Sequence, residues 1–117
     1  MTIKEEFREY IKIQRELNEM APTYLPKDTG LKEIIWVSPK NANHGPRIKV
    51  YSLNKSKDFS VTIEDEPRIV AGKSFVTSKE FDKIVDFIKL NKENLLKYWN
   101  YGLSTKELAD NILKVSN

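Results

Sequence analysis

The chain has 117 residues, of which 39% are hydrophobic and 32% charged, with a formal net charge of +3. That length holds a single domain, residues 1–117, and the balance is that of a globular chain, not a disordered one. Cysteine is absent, which excludes disulfide frameworks and thiolate metal sites and favours a reducing, cytoplasmic setting.

The charge is unevenly placed. Residues 1–20 carry net −1, residues 21–60 net +4 and residues 61–117 net zero. Within the basic third, Ile34 to Lys57 holds Lys40, Arg47, Lys49, Lys55 and Lys57 with His44 and no acid. A clustered basic face attracts anions, whereas scattered charge only keeps a protein in solution. The first residues, with Lys4, Glu5, Glu6 and Arg8, contain no apolar stretch of signal-peptide length, and no run approaches membrane-spanning length, so no membrane partner is expected.

In chain order, Thr2 and Glu5 have capping-box spacing and open a helix. Ile3, Phe7, Tyr10, Gln14, Leu17 and Ala21 recur in steps of four and three and give it one apolar stripe. Pro22 ends it near Met20, because proline disfavours helical geometry in the residue before it. Residues 22–30, with Pro22, Pro26 and Gly30, read as an extended connector.

Ile34, Ile35, Trp36 and Val37 form a β-rich run closed by Pro39. Residues 41–46 are dense in turn formers and make a loop. In Arg47 to Tyr51, Ile48 and Val50 take one face and Arg47, Lys49 and Tyr51 the other. A polar turn over residues 54–58 leads to the alternating strand Phe59, Val61, Ile63. Glu64-Asp65-Glu66-Pro67 turns the chain into a fourth strand from Arg68 to Ala71, ending at Gly72.

Thr77 and Glu80 open a second capping box. Phe81, Ile84, Val85, Ile88, Leu95, Leu96 and Trp99 follow one helical face, interrupted at Asn91-Lys92, which leaves open one continuous helix or a kink or break there. Read as one helix to Asn100, it is about 35 Å long. Gly102 stands where a left-handed cap is expected. Ser104 and Glu107 open a short last helix with Leu108, Ile112 and Val115 inward. The predicted fold is α+β: a small twisted antiparallel sheet of three to four strands packed by the long helix, with N- and C-terminal helices alongside.

The residues with chemistry converge on the loop from Ser38 to Arg47. Lys40, Asn41, Asn43, His44 and Arg47 can present ammonium, amide, imidazole and guanidinium groups to one phosphate or carboxylate; the competing reading is an ordinary polar hairpin loop. Arg47, Lys49 and Tyr51 share one strand face. Trp36 on the neighbouring strand would add a stacking platform if it lies on that face, although a tryptophan in an apolar run is more often core. His44, the only histidine, suits a structural role better than catalysis unless folding brings it a carboxylate, for which Asp58 and Glu64 are the candidates. The acids Glu64, Asp65 and Glu66 are adjacent and cannot all converge on one cation. No Gly-rich nucleotide loop, HExxH or nucleophile elbow is present, so no cofactor or metal is expected.

Two segments carry a resemblance. One is Ile35 to Val50, where Trp-Val-Ser-Pro leads to a loop ending His-Gly-Pro-Arg-Ile-Lys-Val. The other is Leu90 to Asn100, ending Tyr-Trp-Asn. Across roughly residues 31–105 the chain resembles small bacterial domains of unknown function from phage, mobile-element and defence regions, found beside toxin–antitoxin-like genes. Members of that group tend to have a histidine–proline-rich loop, and this chain has a single histidine there. The resemblance implies a role in genome conflict and no particular mechanism.

Three expectations follow. The first is a small basic, non-catalytic module that contacts nucleic acid or a nucleoprotein complex through Lys40, Asn41, Asn43, His44, Arg47 and Lys49, with Trp36 and Tyr51 stacking. The second is a protein-binding inhibitor or antitoxin-like module with an exposed apolar patch, for which the N-terminal helix is the candidate. The third is a small hydrolytic enzyme using His44, which requires a concave site and a carboxylate.

Overall fold

The computed structural model describes residues 22–40 and 43–116. The helix read over residues 2–20, with its apolar stripe, and Asn41 lie outside the described residues.

Five strands form one antiparallel meander: β1 (Thr23–Tyr24), β2 (Ile34–Val37), β3 (Arg47–Tyr51), β4 (Asp58–Thr62) and β5 (Ile69–Gly72), paired in chain order. The α+β class is as expected, with one strand more than the three to four read from the sequence. The extra strand is β1. Thr23 pairs with Trp36 and Tyr24 with Ile35, a pairing too short to leave an alternation in the sequence. The rest of the supposed connector, by contrast, is not extended. Pro26–Thr29 forms one helical turn, α1, with proline at its start and Asp28 accepting from the Leu25 N–H at 2.9 Å.

The register explains the layers. Tyr24, Ile35, Val50 and Phe59 line up across the strands, as do Val37, Ile48 and Val61. Because side chains alternate along each strand, these residues share one face. That face meets the long helix α2 (Ser78–Trp99), whose buried side chains are Ile84, Phe87, Ile88, Asn91, Leu95 and Tyr98. Leu108 of α3 (Thr105–Asn111) completes the core. Phe59 and Phe87 are fully buried; truncating either to alanine would cost about 3–5 kcal/mol.

Helix α2 does not break at Asn91. The residue is 1% exposed, and its polar side chain is used by the chain's C-terminal tail. Its Nδ2 donates to the carbonyls of Phe87 and Leu113, each at 3.0 Å, and its Oδ1 accepts from the Leu113 N–H at 2.8 Å. The apolar face is therefore continuous, with a polar clamp set into it.

The caps fit in part. Thr77 Oγ1 accepts from the Glu80 N–H at 3.1 Å. Ser104 and Glu107 form the full reciprocal box at 3.0 and 3.1 Å, which holds the Glu107 carboxyl below its usual value. Gly102 does not take the left-handed cap. Tyr101 does, at φ 66°. The Tyr101 N–H donates to Tyr98 O at 3.1 Å and the Gly102 N–H to Lys97 O at 2.6 Å. This is the two-bond helix ending whose left-handed position glycine usually fills; here Tyr101 fills it and Gly102 follows as the second donor. At Gly102 the backbone comes so close that an added Cβ would sit 3.1 Å from Lys97 O.

Candidate nucleic-acid interface

The outer face of the sheet is set by the same register. Lys49 on β3 stands opposite Trp36 on β2 and Ser60 on β4, with Arg47 opposite Thr62 and Tyr51 opposite Ile34 and Asp58. Trp36, Arg47, Lys49 and Tyr51 are each half-buried. The Lys49 ammonium lies 5.6 Å from the centroid of the Trp36 ring and 5.9 Å from that of Tyr51. Both distances are within cation–π range. The tryptophan that an apolar run would place in the core is thus on the outer face, one strand over from the cations. The reason is the pleat: Ile35 and Val37 point inward, so Trp36 between them points out.

Arg47 sits at one end of this face. Its N–H donates to Ser38 Oγ at 3.3 Å, and its carbonyl accepts from the Ser38 N–H at 3.0 Å. Its guanidinium makes no hydrogen bond or ion pair among the described residues. Asp58 marks the opposite end, so the face runs from positive to negative along the strands.

Beyond Arg47 the face opens into a groove of about 340 Å³ lined by His44, Pro46, Arg47, Thr62, Glu64 and Arg68. Two connections build it. The Ile63 N–H donates to Pro46 O at 3.1 Å and ties the 43–46 loop to the end of β4. The Thr62 N–H donates to Arg68 O at 2.9 Å, and the Arg68 N–H to Thr62 Oγ1 at 3.0 Å, which closes the β4–β5 turn. Lys92 of α2 holds that turn from below by donating to Asp65, whose carboxyl is pulled below its usual value by this contact.

Within the groove, Arg68 Nε lies 3.5 Å from Glu64 Oε1. Both side chains are substantially exposed, so the pair adds little to stability. His44 Nδ1 is 2.9 Å from the Gly45 carbonyl oxygen. A carbonyl only accepts, so Nδ1 carries a hydrogen and Nε2 is the nitrogen left for other partners.

The predicted loop residues do not act as one cluster. Lys40 turns to the helix side of the sheet, its ammonium 4.8 Å from the Tyr98 ring centroid and 5.6 Å from that of Tyr101. Asn43 is exposed and lies outside the groove lining. His44 and Arg47 come together in the groove, while Arg47, Lys49, Trp36 and Tyr51 share the outer face. Arg68 escaped the reading because it lies outside the basic segment. A β4–β5 hairpin register would have found it: Arg47 pairs with Thr62, and Thr62 bonds to Arg68. Of the two carboxylates considered for His44, Glu64 reaches the groove. Asp58 lies at the far end of β4.

Among the described residues, no three His, Asp or Glu side chains gather as a metal site, and no helix is long and apolar enough to cross a membrane. Comparison with protein-family models, curated proteins and solved structures returned no match.

Proposed function

We propose that this protein is a nucleic-acid-binding module that takes a single strand across the outer face of its sheet. The observation that carries the reading is the placement of Lys49 between the rings of Trp36 and Tyr51. Aromatic side chains stack on bases without regard to sequence, and cations beside them neutralise the phosphates between those bases. Arg47, whose guanidinium is unengaged among the described residues, extends the cationic track along the strand direction. Stacking on side chains suits an unpaired strand, whose bases are free to leave one another. The resemblance to domains of mobile elements and defence regions fits a nucleic-acid target.

The test is fluorescence anisotropy with labelled single-stranded and duplex oligonucleotides over a salt series. Single strands should bind more tightly, and affinity should fall steeply with salt as counterions are released. The double variant Arg47→Glu/Lys49→Glu should lose binding while keeping the far-ultraviolet circular dichroism of the parent. Salt-independent binding, or full binding by the double variant, would refute the reading.

A protein partner is the second reading, and β5 favours it. This strand has no neighbour on its outer side among the described residues, and its Ile69 and Val70 are 39% and 43% exposed. An apolar open edge suits addition of a partner's strand. Binding to one protein that survives high salt and is abolished by Val70→Lys would support this alternative.

A further inference from the structure

The groove at the end of the outer face brings together an imidazole, a carboxylate and two guanidiniums. From this set we infer that the groove cleaves RNA by intramolecular transesterification. The inference rests on the nucleic-acid reading above and adds a reaction to it.

The groove supplies each group such a reaction needs. Among the described residues Glu64 is the one carboxylate in the lining, and Arg68 beside it keeps a positive charge at the same spot. His44 lines the same groove, its Nδ1–H given to the Gly45 carbonyl. That bond orients the ring and leaves Nε2 for proton transfer. Arg47 and Arg68 flank Thr62 from the two sides and both line the groove, and a guanidinium is suited to the non-bridging oxygens of a phosphodiester.

The step balances without an added reactant. The Glu64 carboxylate takes the proton of a ribose 2′-hydroxyl. The 2′-oxygen forms a bond to the adjacent phosphorus, and the bond from phosphorus to the 5′-oxygen breaks. The electron pair leaves on that oxygen, which receives a proton from Nε2 of the His44 imidazolium. The products are a 2′,3′-cyclic phosphate and a free 5′-hydroxyl. Glu64 then returns its proton to solvent and His44 regains one. The nucleophile belongs to the substrate, so the protein need supply no serine, cysteine or metal. The two arginines stabilise the charge that builds on the phosphorane. The chemistry selects RNA, because DNA has no 2′-hydroxyl.

The experiment uses the full chain with three labelled strands of one sequence: RNA, 2′-O-methyl RNA and DNA, all in excess EDTA. Cleavage of the RNA alone is expected, with mass spectrometry identifying a 2′,3′-cyclic phosphate end. His44→Ala and Glu64→Gln should each slow it about 100-fold or more, with folding checked by thermal melting. Arg68→Lys, which keeps the charge and loses the planar fork, should slow it less than Arg68→Ala. If the wild-type protein binds the 2′-O-methyl strand but leaves RNA intact, the cleavage inference is wrong and the binding reading stands. If it neither binds nor cleaves, both are wrong. Cleavage that persists at full rate in both the His44 and Glu64 variants would equally overturn the assignment.

Discussion

The side chain of Asn91 grips the backbone of Leu113 through both of its polar atoms, one donating to the carbonyl and one accepting from the N–H. A single amide thus replaces the missing strand or helix partner of a tail residue. The clamp is sheltered by the same helix face that packs the sheet. Asn91→Ala should destabilise the protein by about 2–3 kcal/mol, because it leaves the Leu113 groups short of partners as well as removing bonds. Urea denaturation checks the value. Asn91→Leu, although apolar and of similar size, should be no better, since the tail's polar groups remain unmet.

Gly30 should tolerate no side chain. Its φ is +81°, and a Cβ placed there would lie 2.4 Å from the carbonyl oxygen of Val115. Strain and clash act together, so Gly30→Ala should cost about 2–4 kcal/mol. A control substitution at Gly45, where a Cβ meets nothing within 4 Å, should cost far less. Thermal melting of the two variants side by side gives the comparison.

Stability should depend on pH through Glu33. This residue is 5% exposed, and burial, with Glu80 nearby, raises its carboxyl above the ordinary value of 4.5. The folded state therefore holds the proton where the unfolded chain has already released it. Wherever the folded state binds more protons, stability falls as pH rises. Glu33 should thus lower stability progressively from about pH 4.5 up to its raised native value, and level off above. Glu33→Gln should remove that part of the slope. The variant should match the parent in acid and exceed it at neutral pH in denaturant titrations.

Nucleic-acid binding should separate Lys40 from the cations of the outer face. Lys40→Glu changes a charge lodged against Tyr98 and Tyr101 on the other side of the sheet, so affinity for a single strand should change little. Arg47→Glu should weaken binding and reduce the salt slope by about 0.7, the loss of one phosphate contact to a single strand. Trp36→Ala should cost about 1–3 kcal/mol of affinity through lost stacking, with the salt slope unchanged. Anisotropy titrations at several salt concentrations distinguish the two signatures.

The sequence carried the meander and the long helix plainly, because both bury a face with a regular period. Ile48–Val50 and Phe59–Val61 alternate, and Ile84, Ile88 and Leu95 recur at helical spacing. What it hid depends on contacts between distant segments. β1 exists because Thr23 and Tyr24 find β2, not because of their own propensity. Asn91 looks like an interruption until Leu113 is laid beside it. Tyr101 takes the left-handed cap because Gly102 lets the backbone close on Lys97. At the site, alternation located Lys49 and Tyr51, but Lys40 and Arg68 exchanged places. A loop lysine swung to the helix side, and an arginine outside the basic segment came in through a hairpin turn.

The hydrogen bond from the Val115 N–H to Thr29 O, at 2.9 Å, joins the two extremes of the described chain and has a kinetic consequence. Each hairpin of the meander closes over a short loop and can form early, while this link closes a loop that contains β2 to β5 and both later helices. The tail should therefore dock last in folding and detach first in partial unfolding. Amide exchange at Leu113 and Val115 should run through a local opening, well below the free energy that protects Ile48 and Val61. The most vulnerable moment is then the release of the segment around Leu113 and Val115, while the sheet that bears the groove remains intact.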